Sequence, residues 1–324
     1  MIKKINLFFL VISLLFIIQA CTTNKDTTNE TQKLTPYTEN GMKYINIGKY
    51  PQTVVDDTKL INILNTISTT NSLGYIEYNG NEYKKMVANP FGYSYTFING
   101  NTINAGVTYY FKVEPIKWRV LYQDNNEYTL LCEMLLDNTN YYHTRNEIRT
   151  INNETIYPNN YKYSNVRAWL NGYDGSTYNV DNYSGIGFYD IAFTEEEKTL
   201  IKTTLVDNSV EITGYESNQY ACENTSDKLY LLSYKDVTNT LYGFDTTANG
   251  STSREAIVSD YARAKYCGMS TSSSDYGMGL WWLRSPYYVE SSAVRTVYPG
   301  GSVYYDYVYF SYDAIRPAMR IILE

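Results

Sequence analysis

Tyrosine is the feature that constrains this chain most: 37 of its 324 residues are Tyr and only 10 are Phe. Both amino acids have A/T-rich codons, so base composition alone would raise the two together. Something favours a ring that carries a hydroxyl. Tyrosine is a good strand former. It also supplies broad, rigid contact area with a hydrogen-bonding tip, which is why binding surfaces use it. The excess is uneven: residues 287–312 hold eight tyrosines in 26 positions, against 29 in the remaining 298. The run Val303 to Phe310 alternates poorly between apolar and polar, so its tyrosines cannot all point into one core. Several must be exposed together, and such an aromatic patch on a secreted protein marks a binding site. An edge strand whose rings pack on neighbouring loops is the competing arrangement.

The rest of the composition narrows the class. With 44% apolar and 19% charged residues, the chain packs as a globular protein. Its formal charge is -7, and about -9 once the lysines Lys3 and Lys4 leave with a leader. That balance argues against nucleic-acid partners, which need a basic face. His143 is the single histidine, which excludes sites that need two imidazoles.

Residues 1–20 read as a secretory signal peptide. Lys3 and Lys4 precede an apolar run from Ile5 to Ile18, too short to cross a membrane, and Ala20 stands before Cys21. Ile18-Gln19-Ala20-Cys21 resembles a bacterial lipobox, with Gln19 in place of the usual small residue. Cys21 is therefore the expected site of lipidation. Residues 21–42, rich in Thr, Asn, Lys and Glu, read as a flexible tether, and residues 43–324 as one folded domain. Cys132, Cys222 and Cys267 lack CxxC spacing, so metal or thioredoxin chemistry is not expected. Cys132, inside the apolar run Tyr128 to Leu136, reads as a buried small hydrophobe. A Cys222–Cys267 disulfide is left open by the sequence.

The pattern within the domain is α+β, a largely antiparallel sheet with short flanking helices. Ile116 to Tyr122, a turn at Asp124-Asn125-Asn126, and Tyr128 to Leu135 form a hairpin pattern. Asn165 to Leu170 reads as a short helix stopped at Asn171-Gly172. Thr194-Glu195-Glu196-Glu197 is a capping box opening a helix to about Lys202. Leu229 to Ser233 reads as a buried strand followed by a helical turn at Tyr234 to Val237. The spacing of Ile257, Tyr261 and Ala264 predicts a helix over 254–265. Ala314 to Leu323 suits a strand that closes the sheet, with Pro317 where no ladder donor is needed.

Two blocks carry a family resemblance. Gly279 to Pro286 (GLWWLRSP), followed by Ile315-Arg316-Pro317-Ala318, is similar to a domain widespread in bacterial surface lipoproteins. Trp118-Arg119-Val120, Val166-Arg167-Ala168-Trp169-Leu170 and Phe193-Thr194-x-Glu196 fit that family in order, so the resemblance spans about residues 43–324. It implies a C-type lectin fold of the formylglycine-generating-enzyme-like type. Within that group the chain most resembles the treponemal variable proteins, lipoproteins in which a diversity-generating retroelement rewrites adenine positions near the 3′ end of the gene. Adenine-directed change of AAY codons yields Tyr, Ser, Asp, Phe, Val, Arg and Asn, among others, and residues 287–313 are made largely of those types. Glu290 cannot come from an AAY codon. The resemblance thus implies a variable region at about 287–313 between two fixed scaffold blocks, Trp281 to Pro286 and Ile315 to Ile321. The expected ligand-binding residues are Tyr287, Tyr288, Arg295, Tyr298, Tyr304, Tyr305, Tyr307, Tyr309 and Tyr312. They are expected mostly exposed on one surface, with Trp281, Trp282, Leu283 and Ile315 buried beneath.

The chemistry-bearing residues favour binding over catalysis. Formylglycine formation on the related scaffold needs a pair of cysteines, and no cysteine follows Cys267. One histidine, placed in the loop-like Asn140 to Arg145, gives no credible Ser/His/Asp set. No motif selects a carboxylate pair for glycoside hydrolysis, and the sugar-binding triplets of calcium-dependent lectins are absent. The expected protein is therefore not an enzyme and has no cofactor and no catalytic metal. It would bind a protein or glycan ligand from the bacterial cell envelope, lipid-anchored in the outer membrane and surface-exposed. An enzyme on the formylglycine-generating scaffold and a structural surface lipoprotein are the alternatives.

Overall fold

The computed structural model describes residues 34–323. The expected signal peptide, Cys21 and most of the expected tether lie outside the described residues. The fold is α+β, with two principal sheets and short helices. One sheet has the strand order Tyr37–Glu39, Met42–Val54, Thr108–Asp124, Glu127–Cys132, Ala318–Ile322, Leu229–Tyr230. Asn81–Val87 also pairs with the long Thr108–Asp124 strand and carries Tyr75–Tyr78 on its far side. The second sheet runs Val303–Tyr307, Ala293–Val297, Trp281–Pro286, Ala314–Ile315, Asp137–Asn138. Its pairings are antiparallel except Trp281 with Ala314. Among the described residues no helix is long and apolar enough to cross a membrane.

The C-terminal segment joins the two sheets. It leaves the second sheet at Ile315, passes through Arg316-Pro317, and enters the first at Ala318. Proline has no N–H to give a ladder, so it fits the crossing point, while its carbonyl accepts from Cys132 N–H. Arg316 is fully buried and donates to the carbonyls of Cys132, Arg254 and Glu133, with its guanidinium 5.0 Å from the Trp281 ring. Trp118, Trp281 and Trp282 are fully buried. Each indole N–H finds a carbonyl, at Ile47, Arg254 and Thr139 respectively. Burying these rings adds to the apolar driving force of a core that holds many other buried side chains, and the three bonds offset the cost of their polar edges.

Several sequence expectations are met. The hairpin turns at Asn125 (φ 52°) between Thr108–Asp124 and Glu127–Cys132. The helix Asn165–Asn171 ends at Gly172 in the left-handed region. Both halves of the Thr194/Glu197 capping box form. Cys132 is fully buried.

Others are corrected. The helix expected over 254–265 spans only Asp260–Lys265, because Ser259 caps it by accepting from Ala262 N–H. Arg254 is instead a buried loop residue whose guanidinium donates to the carbonyls of Gly301, Val237, Asp245 and Asn249. The helix after Thr194 stops at Leu200, since Ile201 bridges Ile321 and Lys202 N–H bonds Arg320 O. The folded unit begins at Leu34 rather than 43, and Tyr37–Glu39 pairs with Met42–Tyr44 across a tight turn at Asn40-Gly41. The Cys222–Cys267 pairing, which the sequence left open, does not form: both thiols are free.

Candidate functional site

The site is built on the free edge of the second sheet. Among the described residues Val303–Tyr307 pairs as a strand only with Ala293–Val297, in a register that sets Arg295 opposite Tyr305 and Ala293 opposite Tyr307, while Val303 N–H donates to the Ala248 carbonyl. Successive strand residues point to opposite faces. Asp306 and Val308 are buried while Tyr305, Tyr307 and Tyr309 stay half-buried, so the chain alternates from 305 to 309 after all. The alternation does not reach back to buried Val303 and exposed Tyr304, and within it Asp306 is a carboxylate in an inward position.

The rings on the outer side form one connected row. Tyr287 stacks on Tyr305 with centroids 4.1 Å apart, and Tyr305 on Tyr304 at 4.6 Å. Tyr298 meets Tyr304 edge-on at 5.9 Å. The row continues from Tyr305 to Tyr307 and Tyr309, then through Phe310 to Tyr312. At the other end Tyr288 packs 5.5 Å from Tyr287. All eight predicted tyrosines belong to this row, and Arg295 lies 5.6 Å from the Tyr287 ring.

Exposure differs from the expectation. Tyr288 and Tyr304 are exposed, at 48% and 55%, whereas Tyr287, Tyr298, Tyr305, Tyr307, Tyr309, Tyr312 and Arg295 are half-buried. The reason is mutual: rings 4–6 Å apart cover one another. Trp281, Trp282, Leu283 and Ile315 are buried, as expected.

The sequence missed the residues that extend this row. Tyr215 packs 4.1 Å from Tyr288, and its hydroxyl accepts from Arg295 Nη2. The Arg145 guanidinium lies over Tyr307, 4.1 Å from its centroid. Phe91 packs at a tilt on Tyr312 at 4.5 Å and meets Tyr266 edge-on at 5.4 Å. Nothing in the sequence around Tyr215, Arg145 or Phe91 marks them, because only the fold brings their loops to the C-terminal segment. Phe310 lay inside the tyrosine-rich window, and its position between tyrosines was the available signal. Glu290, the residue that does not fit the substitution pattern, shapes the adjoining turn. Its carboxylate accepts from Ser292 Oγ–H, and its carbonyl accepts from Asn159 Nδ2–H and Ala293 N–H.

Burial and neighbouring charges act on particular groups of the face. Burial pushes Tyr215 up to about 12, against the pull of Arg295. Burial does the same for Tyr298, to about 12, aided by Asp306 and Asp313 behind it. Asp306 is raised by burial, and Asp313 well above the usual carboxylate range by burial and by Asp306. Arg295 has no carboxylate partner within 4.0 Å among the described residues, and Arg145 reaches Glu290 only at 4.0 Å. The face therefore offers ring surfaces, hydroxyls and two guanidinium groups. Among the described residues no group of three or more His, Cys, Asp or Glu side chains could hold a metal ion. His143 rests on the Tyr142 ring in a surface loop.

A family model described as Domain of unknown function (DUF6273) matches residues 125–323, more than half of the chain. The whole tyrosine row lies inside that stretch, and the Phe91 contact comes from outside it. No curated protein and no solved structure matches the chain.

Proposed function

We propose that this chain, which belongs to the DUF6273 family, is a surface-displayed, lipid-anchored binding protein whose tyrosine row takes a protein or glycan ligand. One observation carries the reading: eight tyrosines and Arg295 from a single C-terminal stretch converge in one ring row at a sheet edge. Rows of this kind serve recognition, because rigid rings give contact area at little conformational cost and their hydroxyls adapt to different partners. The fully buried Trp281 and Trp282 strand beneath supports a scaffold that stays fixed while the row above it varies. On this reading the domain has the C-type lectin fold of the formylglycine-generating-enzyme-like type, and a retroelement diversifies residues 287–313. The reading includes an acylated Cys21, an outer-membrane location and no catalytic role.

Two experiments test it. The gene neighbourhood should contain a reverse transcriptase and a near-identical template repeat differing at adenines; their absence from the complete genome would remove the diversification claim. Binding is probed with a glycan array and a displayed random-peptide library. The variant Tyr288→Ser/Tyr304→Ser alters the two exposed rings, so its melting temperature should move little, each surface change staying within about 0.5 kcal/mol. Capture should fall at least tenfold, since aromatic anchors at interface centres are each worth about 2 kcal/mol. Capture equal to that of the parent chain would sink the proposal.

A further inference from the structure

A cavity of about 240 Å³ shares no lining residue with the tyrosine row. Its walls come from strand Thr204–Val206 and the turns Tyr234–Val237 and Thr240–Tyr242, and two arginines enter from the C-terminal strands. Arg284 is only 5% exposed. Its Nε donates to Asp207 O at 3.0 Å, and its Nη1 to Leu231 O and Asp236 Oδ2, both at 2.7 Å. The remaining nitrogen, Nη2, donates to no group among the described residues. Arg320 makes a 3.5 Å contact with Glu127, whose other oxygen holds Lys202 more closely, at 2.5 Å. Lys235, exposed at the rim, makes no ion pair among the described residues. On the acidic side, Asp236 Oδ2 is occupied by Arg284 and by Ser233 N–H and Oγ–H. Asp207 Oδ1 accepts from Ser209 N–H. Arg320 also hydrogen-bonds the hydroxyls of Tyr230 and Tyr242. The lining thus carries three cations against two carboxylates, and the donors left over are Arg284 Nη2 and the Lys235 ammonium.

We propose that this cavity binds a small carboxylate of about the size of one sugar acid. Its carboxyl group meets Arg284, Arg320 and Lys235, and its body lies against the rings of Tyr230 and Tyr242. The volume corresponds to roughly eight water molecules at ~30 Å³ each, too little for a drug-sized ligand. A surplus of one positive charge matches a monoanion, and guanidinium groups recognise carboxylates through paired hydrogen bonds. A dianionic phosphate would face Asp207 and Asp236 with less to offset them.

The carboxylate could be a free acid or the terminal residue of a glycan. The test follows thermal melting of the full chain with D-glucuronate, N-acetylneuraminate, sialyllactose and, as an uncharged control, D-glucose. At saturation at least one acid should raise the melting temperature by about 2 °C or more, and glucose should not. A response to sialyllactose equal to that of N-acetylneuraminate assigns a glycan terminus; a response to the free acids alone assigns a free acid. The shift should disappear in Lys235→Gln, an exposed position that leaves the fold intact, and in Arg320→Gln. It should persist in Tyr288→Ser/Tyr304→Ser, which separates this cavity from the tyrosine row. No shift with any acid, an equal shift with glucose, or an unaltered response in Lys235→Gln overturns the proposal, as does its loss in the tyrosine variant.

Discussion

Asp313 is fully buried, and neither of its carboxylate oxygens has a hydrogen-bond partner. Asp306 stands beside it and raises it further, and both are held above the ordinary carboxylate range chiefly by burial. An acid whose folded pKa is raised binds its proton more tightly in the folded state than in the unfolded one. The folded state is then favoured most below the unfolded value of about 4, and stability falls as pH rises through the raised folded pKa. The melting temperature of Asp313→Asn should therefore lose less between pH 4 and pH 8 than that of the parent chain, and lie above it at pH 8. Parallel profiles for the two proteins would refute this account. Thr296 poses a smaller case. It is fully buried in the strand beneath the tyrosines, and its hydroxyl has no partner. Thr296→Val keeps the shape, removes the unpaired group and suits a strand. It should stabilise by about 1 kcal/mol, measured by denaturant melting.

At the scale of elements, short capped pieces recur. The helix Glu195–Leu200 opens with a capping box: Thr194 Oγ1 accepts from Glu197 N–H, and Glu197 Oε2 accepts from Thr194 N–H. Glu197 Oε1 also accepts from Gly48 N–H, so this cap ties the helix to the long Met42–Val54 strand. Thr194→Ala should cost about 1 kcal/mol, and Glu197→Ala more, since it frees two backbone donors; equal costs in denaturant titrations would contradict this. Elements like this one were legible because cap chemistry is local. The 254–265 helix was misread because Ile257, Tyr261 and Ala264 imitate helical spacing, while Ser259, the true cap, sits among them. Arg254 belongs to the loop because it satisfies carbonyls outside any helix of its own, from nearby Asn249 and Asp245 to the more distant Val237 and Gly301. The tyrosine edge was legible in composition but not in exposure. Stacking between neighbouring rings, rather than any single position, decides how much of each ring stays open.

The whole described molecule holds together without covalent crosslinks, since Cys132, Cys222 and Cys267 are free and burial raises all three thiols. Its melting temperature should be the same with and without a reducing agent, and a drop of several degrees on reduction would reveal a disulfide. The amino-acid sequence by itself determined the α+β class, the hairpin, the capped helices, the buried tryptophan block and the tyrosine-rich stretch, because each rests on residues close together in the chain. Tertiary structure alone decided that Tyr215, Arg145 and Phe91 complete the row, and that two arginines on separate strands meet at one cavity. It also decided that Asp306 and Asp313 are both buried, near enough for the charge of one to act on the other. Contacts between distant segments depend on strand order and register, which no local pattern encodes.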